Sequence, residues 1–164
     1  MSKRKGTGVK VALTAGVAAG LVHLASGGGI PATLTDAFSG GPSSAQAIAF
    51  AWSKVGLPYC WGGTGPSCFD CSGLVMKAYG GSIPRTSQEQ WADLPHVNHP
   101  RPGDLVFAPG ADGTWSSPGH VGLVIKGGRV IQAYATGFDI APVSLSQFAN
   151  RAGGIVGYAR PGGA

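Results

Sequence analysis

The chain has 164 residues, a length typical of a single domain. It is 43% hydrophobic and 12% charged, which leaves enough apolar material for a core and excludes a charged, disordered protein. The 29 glycines and 12 prolines follow no Gly-X-Y period, so they exclude collagen and favour short elements joined by many turns. From Gly41 onward the chain has eight basic and six acidic residues, so most of the net charge of +5 comes from the N-terminal segment. This charge therefore does not indicate a nucleic-acid partner.

The first forty residues have the pattern of a targeting segment. Residues 1–10 are basic and residues 11–24 are almost entirely apolar or small, as in a secretory signal peptide. The apolar run is shorter than the roughly 20 residues of a membrane span, and an uncleaved anchor is the alternative. We therefore predict a signal peptide or membrane anchor plus a Gly/Ser/Pro linker over residues 1–40. The protein is then secreted or bound to the cell envelope, where disulfides can form, and it meets a membrane only through this segment.

Three helices are predicted in the first half of the folded part, which is expected to span residues 43–161. Their predicted bounds are 43–56, 71–79 and 86–94, with a Gly-rich loop at 59–70. Four β-rich runs bounded by Gly or Pro follow, at 105–107, 121–125, 129–135 and 155–158. Helices first and strands second predict an α+β fold, in which N-terminal helices pack on a C-terminal antiparallel β-sheet.

Three cysteines lie close together, at Cys60, Cys68 and Cys71. In one interpretation Cys71 is a nucleophile at a helix N-terminus, where the dipole and free N–H groups stabilise its thiolate. Asp70 would then cap the helix, and Cys60 and Cys68 would close the Gly-rich loop as a disulfide. The alternatives are a zinc site completed by His120, a redox Cys-x-x-Cys pair, which lacks the expected βαβ pattern, and a buried, inert Cys71.

His120 begins a strong strand, where rigid backbone can position a general base; a plain loop histidine is the alternative. The strands at 121–125 and 129–135 should form a hairpin. A three-residue turn at 126–128 would place the apolar side chains on one face, with His120 and Gln132 as diagonal neighbours on the other. A two-residue turn would separate them. The apolar pattern favours the three-residue turn, which brings an amide to hold the imidazole, unless Gln132 is only an exposed strand residue.

Five short motifs occur in a fixed order along the chain. They are YCWGG at 59–63, FDCSGLV at 69–75, RTSQEQ at 85–90, PGDLVF at 102–107 and HVGLVI at 120–125. Together they resemble the NlpC/P60 family of papain-like cysteine peptidases over about residues 44–160. The resemblance implies a papain-like fold and a catalytic domain over 43–161. It also implies hydrolysis of bacterial cell-wall peptides, typically at the bond between D-glutamate and a diamino acid.

By motif position, the resemblance makes Cys71 the nucleophile and His120 the general base. Tyr59 matches a family tyrosine whose hydroxyl faces the oxyanion site. Gln132 falls where the family usually has a second histidine. A glutamine there is chemically sensible, because only a hydrogen-bond acceptor for the imidazole N–H is needed.

The sequence therefore predicts a monomeric cysteine endopeptidase that acts on peptidoglycan stem peptides through a thioester, without cofactor or metal. Trp61 is expected to line the cleft. Arg85 is expected to meet a substrate carboxylate or to be merely solvated, and Ser72 to orient the site or merely to start the helix. The alternatives are a zinc-stabilised or inactive wall-binding module, and an amidase or acyltransferase on the same scaffold.

Overall fold

The structure, a computed structural model, describes residues 41–162. The helices are α1 (Ser44–Trp52), α2 (Cys71–Ala78), α3 (Ser87–Asp93) and α4 (Leu145–Ala152). The strands are β1 (His96–Val97), β2 (Leu105–Ala108), β3 (His120–Ile125), β4 (Arg129–Gln132), β5 (Ala141–Ser144) and β6 (Gly157–Ala159). The predicted signal peptide or anchor lies outside the described residues. Within residues 41–162, no helix combines the length and the apolar character that a membrane crossing requires.

Side-chain caps begin all four helices. Ser43, Thr86 and Ser144 each form a capping box with the residue three positions later, which satisfies backbone N–H groups at the helix start. Asp70 caps α2 by accepting a hydrogen bond from the Gly73 N–H at 2.6 Å. The predicted starts of the first three helices are therefore confirmed. The predicted end of α1 at Gly56 is wrong, since the helix ends at Trp52.

The six strands form one antiparallel sheet in the order β1-β6-β2-β3-β4-β5, which confirms the predicted fold class. Two of its strands were not predicted. Strand β1 has only two residues, too few for a periodic pattern. Strand β5 contains Pro142 and lies at the edge of the sheet, where a missing N–H is tolerated.

The sheet is buried on both faces. Helices α1 and α2 cover one face, where the largest buried side chains include Leu74, Leu105 and Phe107. Helix α4 covers part of the other face through Phe148, which packs with Val106 and Val130. The hairpin residues expected to face the core are all buried in the first cluster, namely Val121, Leu123, Ile125, Ile131 and Ala133. Burial of these apolar faces is the main driving force for this arrangement.

The turn between β3 and β4 sets the register of the sheet beside the cleft. Ile125 pairs with Arg129, so residues 126–128 form the turn, as predicted. Its two glycines have φ of +75° and +65°, a left-handed conformation that glycine adopts without steric cost. Because side chains alternate along a strand, this register puts His120 and Gln132 on the same face.

Candidate active site

Cys71 is the first residue of α2 and the free cysteine of the described region. Its thiol points at the carbonyl oxygen of Gly119, with 3.8 Å between sulfur and oxygen. The next residue, His120, begins β3. Both Cys71 and His120 line a cleft of about 920 Å³. The structure thus brings together the two residues that the sequence proposes as nucleophile and base.

Gln132 holds the imidazole of His120 in one orientation. The Nε2 of His120 lies 2.7 Å from the Oε1 of Gln132, and both side chains are buried. An amide oxygen can only accept a hydrogen bond, so Nε2 carries the proton and donates it. The other ring nitrogen, Nδ1, is then unprotonated and available as a base. Phe148 stacks on the ring at 5.2 Å between centroids, and Tyr134 meets it edge-on at 5.8 Å.

Burial favours the neutral forms of Cys71 and His120. It lowers the pKa of His120, because the imidazolium would lose its hydration. Burial, with a smaller contribution from the Asp70 carboxylate, raises the pKa of Cys71 to about 11. Backbone hydrogen bonds from Val121 in β3 and from Ser72 at the helix start act in the opposite direction but are outweighed. These two shifts favour a thiol and a neutral imidazole, so they oppose the thiolate expected at the helix start, which stays a prediction.

Arg85 is bound within the protein through two of its nitrogens. Its Nη2 donates to Asp70 Oδ2 at 2.5 Å, and its Nη1 donates to Asp70 Oδ1 at 3.1 Å and to Ser72 Oγ at 3.0 Å. Arg85 is thus ion-paired, and it also lines the cleft. The guanidinium offsets the carboxylate charge that lies next to Cys71. Its contact with substrate stays a prediction, as does any orienting role of Ser72.

A disulfide joins Cys60 and Cys68, which confirms the predicted loop closure. Neither sulfur is then a thiolate, so the four-ligand zinc alternative is not available. No group of three or more metal-ligating side chains occurs among residues 41–162. The loop also packs tightly on α2: a Cβ atom on Gly73 would lie 2.2 Å from the carbonyl oxygen of Gly63, so glycine is required at position 73.

Tyr59 and Trp61 flank Cys60, and both line the cleft, which was the expectation for Trp61. That the Tyr59 hydroxyl faces the oxyanion stays a prediction. Burial, together with the nearby Cys71 and Asp70, raises the pKa of Tyr59 to about 12. Its hydroxyl therefore remains a hydrogen-bond donor. Trp61 is 77% exposed and offers a large apolar surface at the rim of the cleft.

Three further residues that line the cleft were not predicted, namely Asp112, Tyr134 and Arg151. The Arg151 guanidinium lies 5.6 Å from the ring centroids of both Tyr134 and Phe138. The Tyr134 hydroxyl donates to the Arg151 carbonyl at 2.9 Å. The signal that could have located Arg151 is the Ser-x-x-Gln capping box at Ser144, which begins the unpredicted helix α4.

Helices packed on an antiparallel sheet, with a cysteine opening a helix and a histidine opening a strand, define a papain-like α+β domain. The profile of the NlpC/P60 family matches residues 56–156. The chain therefore belongs to the NlpC/P60 family, as its five motifs suggested. A probable endopeptidase of Corynebacterium glutamicum is 42% identical over 109 residues, which cover 63% of this chain and 49% of that protein. The chain thus spans about half the length of this relative.

Solved structures agree with the fold. An NlpC/P60 family protein from Bacillus cereus is 29% identical with a TM-score of 0.65, over 74% of this chain and 41% of that one. The peptidoglycan hydrolase RipB from Mycobacterium tuberculosis is 28% identical with a TM-score of 0.59, over 71% of this chain and 63% of that one. The papain-like fold predicted from the resemblance is confirmed.

Proposed function

We propose that this chain is a cysteine endopeptidase that hydrolyses an amide bond in peptidoglycan stem peptides outside the cytoplasm. One observation carries the proposal. Cys71 and His120 line one cleft, and Gln132 fixes the imidazole so that Nδ1 is the free base. The family supports the substrate class, since one relative is named a probable endopeptidase and one solved neighbour a peptidoglycan hydrolase.

Acylation begins with a neutral Cys71 thiol and a neutral His120 imidazole. His120 Nδ1 takes the thiol proton as the sulfur of Cys71 attacks the carbonyl carbon, so the thiolate forms only when it is used. The oxyanion is stabilised by the backbone N–H of Cys71 and the hydroxyl of Tyr59. Removing one such donor typically lowers kcat by about 10²–10³-fold. The C–N bond then breaks, the leaving amine takes the proton from Nδ1, and a thioester remains.

Deacylation reverses the proton path. His120 Nδ1 removes a proton from water as the water oxygen attacks the thioester carbon. The C–S bond breaks, the acid product leaves, and the sulfur of Cys71 regains its proton from the imidazolium. Throughout both steps Gln132 acts as a positioning residue, because it accepts a hydrogen bond from Nε2 and does not touch the substrate.

The bond we assign to this site joins D-glutamate to a diamino acid. The acyl half then lies against the wall that holds Cys71, where Tyr59, Trp61 and Arg85 line the cleft. Arg85 keeps part of its surface open, with its side chain 35% exposed, so it can meet a substrate carboxylate while paired with Asp70. Trp61 offers an apolar surface for the peptide backbone or its side chains.

Digestion of defined muropeptides, followed by mass spectrometry, tests the proposal. The wild type should release a fragment ending in a new carboxyl group at D-glutamate. Cys71→Ala and His120→Ala should each lower turnover by at least about 10³-fold. His99→Ala is the matched control, because His99 is exposed and outside the cleft, and it should retain full activity. Equal product release by the wild type and Cys71→Ala would refute Cys71 as the nucleophile.

A further inference from the structure

Several elements of the domain start at the cleft and run away from it. His120 begins β3 at the cleft, and β3 runs about 20 Å to the turn at 126–128. Strand β2 is antiparallel to β3, with Ala108 opposite His120, so the residues just before β2 lie away from the cleft. Helix α2 also starts at the cleft, with Cys71, and ends about 12 Å further on.

These elements meet at one end of the domain. The hydroxyl of Tyr79, which follows α2, donates to the carbonyl of Gly103, which lies just before β2. The Gly103 N–H donates in turn to the carbonyl of Val124, near the end of β3, at 2.9 Å. The end of α2, the residues just before β2 and the turn at 126–128 therefore lie together opposite the cleft, at what is called the far end here.

The far end gathers exposed basic side chains from separate parts of the chain. One comes from the last turn of α2, one from the segment before β2, one from the β3–β4 turn and one from the first residue of β4. They are Lys77, Arg101, Lys126 and Arg129. Half of the eight basic residues found from Gly41 onward are thus exposed at this end.

Carboxylates do not balance these four cations. Asp104 lies at the far end, but it is ion-paired with Arg160 at 2.8 Å. Asp93 is exposed at the end of α3, next to Leu94, which lines a far-end cavity together with Arg101. Four exposed cations against this one exposed carboxylate give the far end a net charge of +3, more than the +2 of all residues from Gly41 onward. The rest of the domain, which holds the cleft, is therefore slightly acidic.

The chain also enters the domain at the far end. Residues 41–44 line the far-end cavity of about 390 Å³, together with Tyr79, Arg101 and Arg160. The residues before them are the predicted signal peptide or membrane anchor and linker, with an apolar run at 11–24. A retained anchor would therefore be joined to the domain at its basic end.

We propose that the far end is a membrane-facing surface that binds the phosphate groups of anionic phospholipids. Charge complementarity supports this occupant, since each Lys or Arg near an anionic bilayer tightens binding by about fivefold. A weak contact is sufficient when a covalent link makes the contact intramolecular. The cleft then faces away from the bilayer and stays open to substrate. This inference goes beyond the proposed function, because it concerns where the domain sits and not what it hydrolyses.

The reactivity of the lysines of the full chain on vesicles tests the proposal. The vesicles consist of phosphatidylcholine alone or of an equal mixture with phosphatidylglycerol, and mass spectrometry measures acetylation rates. Lys77 and Lys126 should react at least about threefold more slowly on the anionic vesicles, and about 0.5 M salt should remove the difference. Lys54 is the internal control. It follows α1, which runs away from the far end, its ammonium lies 4.9 Å from the ring centroid of Phe50, and it should react equally on both vesicles.

Two outcomes of this measurement overturn the proposal. One is equal reactivity of Lys77 and Lys126 on the two kinds of vesicle. The other is a chain that floats with neither kind in a density gradient, because the far end then binds no membrane.

Variants assign the protection to the basic surface. Arg101→Gln combined with Arg129→Gln removes two cations and keeps both reporter lysines, so the protection should fall below about 1.5-fold. Arg151→Gln is the control, since it removes an exposed cation that lines the cleft, and it should keep the full protection. Undiminished protection in the double variant overturns the role of the far end. Thermal unfolding confirms that each variant is folded.

A soluble anionic polymer is the competing occupant. Poly(glycerol phosphate), added to the chain on phosphatidylcholine vesicles, offers the same phosphate chemistry without an anionic bilayer. Protection of Lys77 and Lys126 by this polymer but not by anionic vesicles overturns the proposal, whereas protection by the vesicles that persists with polymer present supports it. None of these measurements involves hydrolysis. Failure of the peptidase assay therefore leaves them unchanged, and their failure leaves the proposed function standing.

Discussion

The charged side chains on the two walls of the cleft differ in whether they form ion pairs. On the wall around the start of α2, called the helix wall here, Asp70, Arg85 and Ser72 hydrogen-bond to one another, and each of them has a partner. On the other wall, Arg151 in the last turn of α4 and Asp112 in the loop before β3 form no ion pair within residues 41–162. Paired charges fix the start of α2 and so position the sulfur, while unpaired charges remain available to a ligand. The contrast indicates that the charges beside Cys71 serve the internal structure of the site, whereas Arg151 and Asp112 are not committed to an ion pair within residues 41–162.

The largest expected effect comes from the positioning of His120. Gln132→Ala removes the acceptor for Nε2–H, so the ring can rotate and change tautomer, and kcat should fall about 100-fold with a smaller change in KM. Gln132→His, which restores a side chain that can hold the ring, should recover most of the loss. Steady-state kinetics on a defined muropeptide measure both. A folded Gln132→Ala variant with wild-type kcat would contradict the role of Gln132.

The next effect concerns the loop on the helix wall. Replacing both Cys60 and Cys68 by Ser should lower the free energy of unfolding by about 2–3 kcal/mol. The disulfide closes a small loop, with a sequence separation of 8, and so restricts the unfolded chain; without it the unfolded chain gains conformational entropy. Denaturant unfolding without reductant measures this loss. Reductant should lower the wild-type midpoint to that of the double variant and leave the variant unaffected. Identical midpoints for the two oxidised proteins would contradict the prediction.

A smaller effect tests the charge pairing itself. Arg85→Met leaves the Asp70 carboxylate, whose side chain is 11% exposed, without its cation. The expected loss of stability is about 1–2 kcal/mol, less than for a fully buried pair, because Arg85 is 35% exposed. Adding Asp70→Asn should recover part of the loss, since the uncompensated charge is then gone. A double-mutant cycle by thermal unfolding measures this coupling, and additive losses would show that the pair contributes nothing.

The smallest change is spectroscopic and tests whether the site rests as a neutral pair. Burial raises the pKa of Cys71 to about 11, so thiolate absorbance should appear only in the alkaline range, when the Cys71→Ala spectrum is subtracted. The pKa of His120 is lowered, so kcat/KM should fall on the acid side only below the ordinary histidine value of 6.5. Thiolate absorbance at neutral pH would instead show a thiolate–imidazolium pair at rest.

Local patterns predicted the elements that place the site. The β3–β4 register follows from apolar residues spaced two apart, and the starts of the first three helices follow from capping side chains. Helix α4 was missed although Ser144 and Gln147 form a capping box. Its Phe148, which stacks on His120, was missed with it.

Features that depend on contacts between residues distant in the chain could not be predicted from the sequence. The ion pair between Asp70 and Arg85 joins residues fifteen apart, and no local pattern specifies it. The raised pKa of Cys71 depends on how deeply the folded chain buries the sulfur, whereas the sequence shows only the favourable helix dipole. The sequence thus proposes which side chains react, and the packing of the folded chain shifts their pKa values.

A change in the length of the turn at 126–128 would alter the surroundings of His120, which lies at the other end of β3, about 20 Å away for a six-residue strand. Deleting one glycine there reverses the odd-even phase of β4 against β3. The amide that holds the imidazole would then point into the apolar core, and an apolar neighbour would take its place. Removing or adding residues in pairs preserves that phase. Counting residues in this turn in related chains therefore shows which of them can keep the same partner for the histidine.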